Sequence, residues 1–201
     1  VTTTTTTTHA RATEVAATAE SPRRPAAGRI ADEERFRASY ARHRTAIWRF
    51  LARRLGDDDL AEDLTSEVFV VAWRRRHDAP ADELPWLYGV ARRVLSNDRR
   101  AARVETERHQ ALAHQLATEP ASRPSPLDAP ATSDAVAAVL AALDERDREV
   151  LLLAAWEELT PSELATALGC RPNTARVRLH RARRRFIALL DDTTIAKGPR
   201  A

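Results

Sequence analysis

The chain has 201 residues, 43% of them hydrophobic, and a formal net charge of +3. That is room for one domain or two small ones with a core, and so small a net charge does not by itself name a polyanionic partner. A single cysteine, Cys170, excludes an intramolecular disulfide or a cysteine zinc cluster and fits a reducing, cytoplasmic setting, while no apolar run nears the ~18 residues of a membrane span.

Residues 1–31 open with the threonines Thr2 to Thr8 and show no helical period. Such a stretch buries too little apolar surface to offset its ordering entropy, so a disordered N-terminal segment is expected. From Asp32 onward Phe36, Tyr40, Ile47, Phe50, Leu51 and Leu55 recur at helical spacing, and Gly56 supplies a left-handed stop. Asp59 followed by Glu62 has the form of a capping box. Leu64, Val68, Val71 and Ala72 then continue one apolar stripe to Trp73. After a polar loop, Pro85 suits a first helical turn, and Leu87, Val90, Ala91, Val94 and Leu95 mark a third helix whose other face carries Arg92, Arg93, Arg99 and Arg100.

Between residues 104 and 132 the apolar residues thin out, and Pro120, Pro124, Pro126 and Pro130 each deny a helix a backbone donor, so this stretch is expected to be a linker. Ser133 is a candidate cap for a helix bearing Val136, Val139, Leu140 and Leu143. Asp144 and Asp147 suit the start of the next helix. Thr160, Pro161 and Glu163 make a capping box with proline at the first helical position. Gly169 closes that short helix, and Pro172 opens a long one to about Leu190.

No stretch reads as a strand. The expected fold is all-α, with two small helical domains at 32–103 and 133–190, a flexible linker at 104–132 and a C-terminal tail at 191–201.

The last two helices have the layout of a helix-turn-helix, whose second helix enters the major groove of DNA. That helix holds Arg171, Arg176, Arg178, Arg181, Arg183, Arg184 and Arg185 with no acidic residue among them. Repulsion at that density calls for an outside counter-charge, and phosphates supply one. Ala175, Leu179, Ala182 and Phe186 fall on one inward stripe. Asn173, Thr174, Arg176, Arg178, His180 and Arg181 lie off it, towards the groove. Catalysis finds little support: the six histidines do not cluster at metal-ligand spacing, and there is neither a glycine-rich nucleophile elbow nor a phosphate-binding loop. No cofactor or metal is expected.

Taken together, "LDERDREVLLLAAWEELTPSELATALGCRPNTARVRLHRARRRF" resembles region 4 of the sigma factors of bacterial RNA polymerase, of the short extracytoplasmic-function (ECF) type. Thr174, Arg178, Leu179, Arg181, Ala182 and Arg183 match its T-x-x-x-R-L-x-R-A-R run. "AEDLTSEVFVVAWRR" and "LPWLYGVARRVLSNDRRA" resemble region 2 of the same family.

The resemblance implies a subunit without bond chemistry of its own that binds core RNA polymerase and promoter DNA. It implies that Asp63, Glu67, Phe69 and Trp73 face a coiled coil of the polymerase's largest subunit; Phe69 and Trp73 suit a core position equally well. Trp86, Tyr88, Arg92, Arg93, Asn97, Arg99 and Arg100 are implied for the single-stranded minus-10 element, with the aromatics again open to a core reading. Arg93 stands where the family usually has asparagine. Arg171, Asn173, Thr174, Arg176, Arg178, His180 and Arg181 are implied for the minus-35 element, with Val177 where serine is frequent. Many relatives are held by an anti-sigma protein, which makes one an expected partner. The rival reading is a free-standing helix-turn-helix regulator.

Overall fold

A computed structural model describes residues 26–113 and 134–196, and every regular element in them is helical. The N-terminal domain is a three-helix bundle of α1 (Ala26–Leu55), α2 (Asp58–Arg74) and α3 (Glu83–Ala113), with a short 3-10 helix, Arg76–Asp78, between the last two. The C-terminal domain is α4 (Asp134–Ala142), α5 (Glu145–Ala155), α6 (Pro161–Leu168) and α7 (Pro172–Ala196).

The apolar stripes meet where their periods place them. Ile47, Phe50 and Leu51 of α1, Val68 of α2 and Leu87 and Val90 of α3 are fully or almost fully buried. Each such side chain contributes about 1.5–3 kcal/mol relative to exposure. Gly56 turns the chain out of α1 at φ 64, with its N–H on the Ala52 carbonyl at 2.9 Å; a side chain there would oppose the left-handed backbone. In the C-terminal domain Val150, Leu153, Leu164, Ala175, Leu179 and Ala182 join the same continuous apolar cluster as the N-terminal helices. Leu140, Leu143 and Leu152 form a smaller one with Phe186 and Leu189.

Four boundaries differ from the sequence expectation. α1 begins at Ala26, inside the segment expected to be disordered, and Asp32 is largely buried against Arg76 at 3.3 Å. α3 runs on to Ala113, ten residues into the expected linker. Its last turns need no apolar stripe, because Arg103–Glu107 and His109–Glu105 pair along the helix at 3.5 and 3.4 Å over strong helix formers. The α2 cap is Asp57, which accepts from the Leu60 N–H at 3.0 Å, in place of Asp59. The helix starts two residues earlier than read, and Glu62 instead pairs with Arg44 of α1. α7 likewise continues past Leu190 to Ala196.

The Asp144 cap and the Thr160–Glu163 capping box form as expected. Residues 1–25, most of the expected linker, the Ser133 cap and the end of the tail lie outside the described residues. One device had no sequence signal: Arg148 of α5 donates to the carbonyls of Leu140, Ala141 and Leu143, satisfying the orphan acceptors at the end of α4.

Candidate nucleic-acid interface

α6 and α7 meet across Gly169, whose φ of 63 and ψ of 41 put it in the left-handed region. The Cys170 N–H reaches the Ala165 carbonyl at 3.0 Å and closes the turn. Ala175, Leu179 and Ala182 seat α7 on the core, so the opposite side of its first turns faces solvent. Arg171, Asn173, Arg176, Arg178, His180 and Arg181 are all exposed there, with Thr174 half-buried beside them. Val177, 40% exposed, lies among them. No ion pair among the described residues reaches Arg171, Arg176, Arg178, Arg181, Arg183 or Arg184. Arg185 alone of the seven is neutralised, by Asp144 at 3.1 Å and by Asp147. Both acids belong to the first turn of α5 and its cap, so Arg185 ties α7 to its own domain.

The candidate positions on α3 are divided. Arg93, Asn97 and Arg100 are exposed. Arg92 donates through Nε to Glu149 at 3.1 Å and through Nη1 to the Ala167 carbonyl at 3.0 Å. Arg99 reaches Glu145 at 3.4 Å and the Arg54 carbonyl at 3.3 Å. Glu145, Glu149 and Ala167 all belong to the C-terminal domain.

The aromatic expectations are corrected in part. Tyr88, implied for base stacking with a core position left open, takes the core position: it is 4% exposed and packs on Phe50 at 5.2 Å, because its place on α3 turns it inward next to Leu87 and Ala91. Burial, with Glu157 beside it, pushes its hydroxyl well above the ordinary tyrosine pKa. Trp86 is half-buried against the core.

On α2 Asp63 and Glu67 are exposed, whereas Phe69 is 3% exposed. Phe69 is therefore core rather than a free contact, yet one edge of it floors an open groove of about 500 Å³. Phe36, Tyr40, Val70 and Trp73 complete the apolar lining, with Glu33, Arg37 and Ser66 at the rim. Phe36 meets Trp73 edge-on at 5.1 Å and Tyr40 meets Phe69 at 4.7 Å. The Arg76 guanidinium lies 4.4 Å from the centre of the Trp73 ring. Tyr40 and Val70 were not singled out in the sequence as surface residues; Val70, apolar and 48% exposed, stands off the inward stripe of α2, and that was the available signal.

Among the described residues no group of His, Cys, Asp and Glu is placed to hold a metal ion, and no helix is long and apolar enough to cross a membrane.

Residues 39–104 match the family described as Sigma-70 region 2, and residues 133–186 match Sigma-70, region 4. The chain belongs to the sigma-70 family. It is an ECF-type sigma factor, and it is similar over its length to curated relatives. It is 29% identical over 164 residues to the ECF RNA polymerase sigma factor SigL of Mycobacterium tuberculosis, covering 80% of this chain and 92% of that one. It is also 29% identical over 165 residues to the RNA polymerase sigma factor CarQ of Myxococcus xanthus, covering 80% and 91%.

Two solved structures resemble the sigma factor in fold. One is the sigma factor RpoE in complex with the anti-sigma factor NepR from Bartonella quintana, with a TM-score of 0.55, 20% identity and coverage of 79% and 98%. The other is CnrH in complex with the cytosolic domain of CnrY, with a TM-score of 0.50, 28% identity and coverage of 80% and 90%. The sigma factor directs promoter recognition by RNA polymerase.

Proposed function

We propose that the labour is divided by domain. The α2 face with Asp63, Glu67 and Trp73, floored by Phe69, docks on a coiled coil of the polymerase's largest subunit, where basic side chains would answer the two acids. Trp86, Arg92, Arg93, Asn97, Arg99 and Arg100 hold the minus-10 element as single strand, the arginines taking the backbone and the indole an unstacked base. Arg171, Asn173, Thr174, Arg176, Arg178, His180 and Arg181 read the minus-35 element from the major groove. The protein works in the cytoplasm and carries out no bond chemistry itself.

The observation that carries this reading is the coexistence, in order, of both sigma regions with an α7 face whose arginines lack acidic partners among the described residues. A free-standing regulator would leave the region 2 match and the aromatic groove without a role. An anti-sigma protein is the expected inhibitor, since RpoE and CnrH were each solved with a protein partner.

Run-off transcription with core polymerase on a genomic promoter library tests the reading. Transcripts that start at defined sites only when this protein is added are the expected result, and they yield its promoter motif. Duplex binding by the protein alone, without new starts, would replace the reading with the regulator.

A further inference from the structure

α3 packs on α6 through Gly89, where a Cβ would sit 3.0 Å from the Ala167 carbonyl oxygen. Beside that contact Arg54 meets Glu157 at 3.2 Å and Glu149 at 3.6 Å. None of this packing covers the outward side of α7, where one exposed residue does not share the chemistry of its neighbours. Around Val177 on the helix surface stand Asn173, Thr174, His180 and Arg181, three and four residues away. Val177 is apolar among the polar groups assigned above to the minus-35 element.

A lone exposed apolar residue is ordinary on a protein surface, so this exposure matters only for where it falls. At about 100° per residue, Val177 lies about 160° round the α7 axis from both Ala175 and Leu179, which are 0% and 6% exposed. It therefore sits on the ridge opposite the core, with Asn173 and Arg181 about 40° to either side. Arg176 and Arg178 leave the helix about 100° to left and right of that ridge, and their long side chains reach base edges or phosphates alike. Val177 has no such reach. With α7 in the major groove, so short a side chain on that line meets only the groove floor, which is made of base edges.

Valine is also not a residue that the helix selects for itself. Being β-branched, it is a poorer helix former than the alanine or arginine found beside it, and an exposed position withholds the burial that usually offsets this. What it offers is two methyl groups held in essentially one χ1 rotamer, an apolar surface with little entropy left to lose. It has no donor or acceptor for a phosphate or for the polar atoms of the base edges. The apolar group in the major groove is the C5-methyl of thymine, which distinguishes thymine from the other three bases.

We infer that Val177 is a thymine reader: its methyls pack on the C5-methyl of a thymine in the minus-35 element, beneath the stretch of α7 between Asn173 and Arg181. The inference rests on the assignment of α7 to that element. It adds discrimination where hydrogen bonds give none, since asparagine and arginine select adenine and guanine, whereas Val177 gives the same helix a means of selecting a pyrimidine.

The test replaces thymine by deoxyuridine, which lacks only the methyl and keeps every hydrogen-bonding group. Holoenzyme is assembled from core polymerase and the full chain. A promoter found by run-off transcription is made as synthetic duplexes, free of 5-methylcytosine, with each thymine of the minus-35 element replaced in turn. At one position the parent should lose about fourfold in competition binding, as expected for one buried methyl. Val177→Ala keeps the helix, because alanine is the better helix former. It should bind the thymine duplex about as weakly as the parent binds the uracil duplex, and should not distinguish the two.

A scan with no sensitive thymine overturns the inference, and so does a sensitive thymine whose penalty persists in Val177→Ala. Arg176→Ala with Arg181→Ala tests the underlying assignment on the same duplexes. Loss of affinity there, beside an unresponsive uracil scan, leaves α7 on the minus-35 element and removes Val177 from the reading. Unchanged affinity in the arginine pair removes the assignment itself. Should the holoenzyme give no promoter-specific starts, the sigma role falls, and the uracil scan on a duplex selected from a random pool by the protein alone still decides whether Val177 reads thymine.

Discussion

On α7, Arg176, Arg178 and Arg181 stand in solvent with no acidic partner among the described residues, whereas on α3 Arg92 and Arg99 each meet a glutamate of the other domain. Both helices look alike in sequence: an apolar stripe inward and a row of arginines outward. The difference lies in what tertiary structure supplies to the row. Where the protein provides the counter-charge, the arginine face is already occupied. Where it provides none, the face is available to a polyanion at all times.

The contrast is sharpened first by removing the free row. Arg176→Ala with Arg181→Ala is expected to lower affinity for a promoter duplex by about tenfold or more, since each base-reading arginine contributes about 1–3 kcal/mol. Binding to core polymerase should be retained. Anisotropy titrations on the duplex and a pull-down with core measure the two, and equal loss of both would mean that the domain had misfolded.

A smaller effect separates neighbours on one helix. Arg184→Ala should weaken duplex binding and reduce its salt dependence, as expected for a phosphate contact. Arg185→Ala should instead lower the thermal midpoint while leaving duplex affinity near the parent's, because its partners are Asp144 and Asp147. Thermal scans beside DNA titrations at several salt concentrations decide it; the same loss of DNA affinity in both variants would break the distinction between paired and unpaired arginines.

The smallest effect lies in the scaffold beneath α7. The Glu163 carboxylate accepts from the Thr160 N–H at 2.7 Å, and its bonding to Thr160 holds its pKa below the ordinary 4.5. The unfolded chain therefore binds the proton more readily. The stabilisation is fully present above the unfolded value and is lost as pH falls through the lower folded value. Denaturant melts from pH 6 down to about 3 should show a steeper acid loss in the parent than in Glu163→Gln. Identical slopes would remove the cap's ionic part.

What was legible in the sequence was whatever a helix decides locally. The Thr160–Glu163 box, the Gly56 and Gly169 stops and the inward stripes of α3 and α7 are each written within a few residues, and each forms. The α3 extension was missed because it rests on polar side-chain pairs along the helix rather than on apolar period. Tyr88 was left open between stacking and core because its burial depends on Phe50 and Glu157, which come from outside its own helix. The cross-domain set of Arg54, Glu149 and Glu157 left no local trace: its members lie about a hundred residues apart in the chain, and nothing in their own surroundings marks them as partners. Arg92 could be recognised as a basic position on an exposed face, but not as one already engaged.

The covalent connection between the domains gives the α3–α6 contact a further property. Residues 114–133 join the two halves, and a stretch of that length cannot separate its ends by more than about 70 Å even at full extension. Each half therefore sees the other at an effective concentration bounded by the length of that join, whatever the amount of protein in solution. Dilution alone does not part the domains. Only a competitor that binds one of the joined faces more strongly than its tethered counterpart does so, which makes the balance between the two forms a measure of partner occupancy rather than of protein abundance.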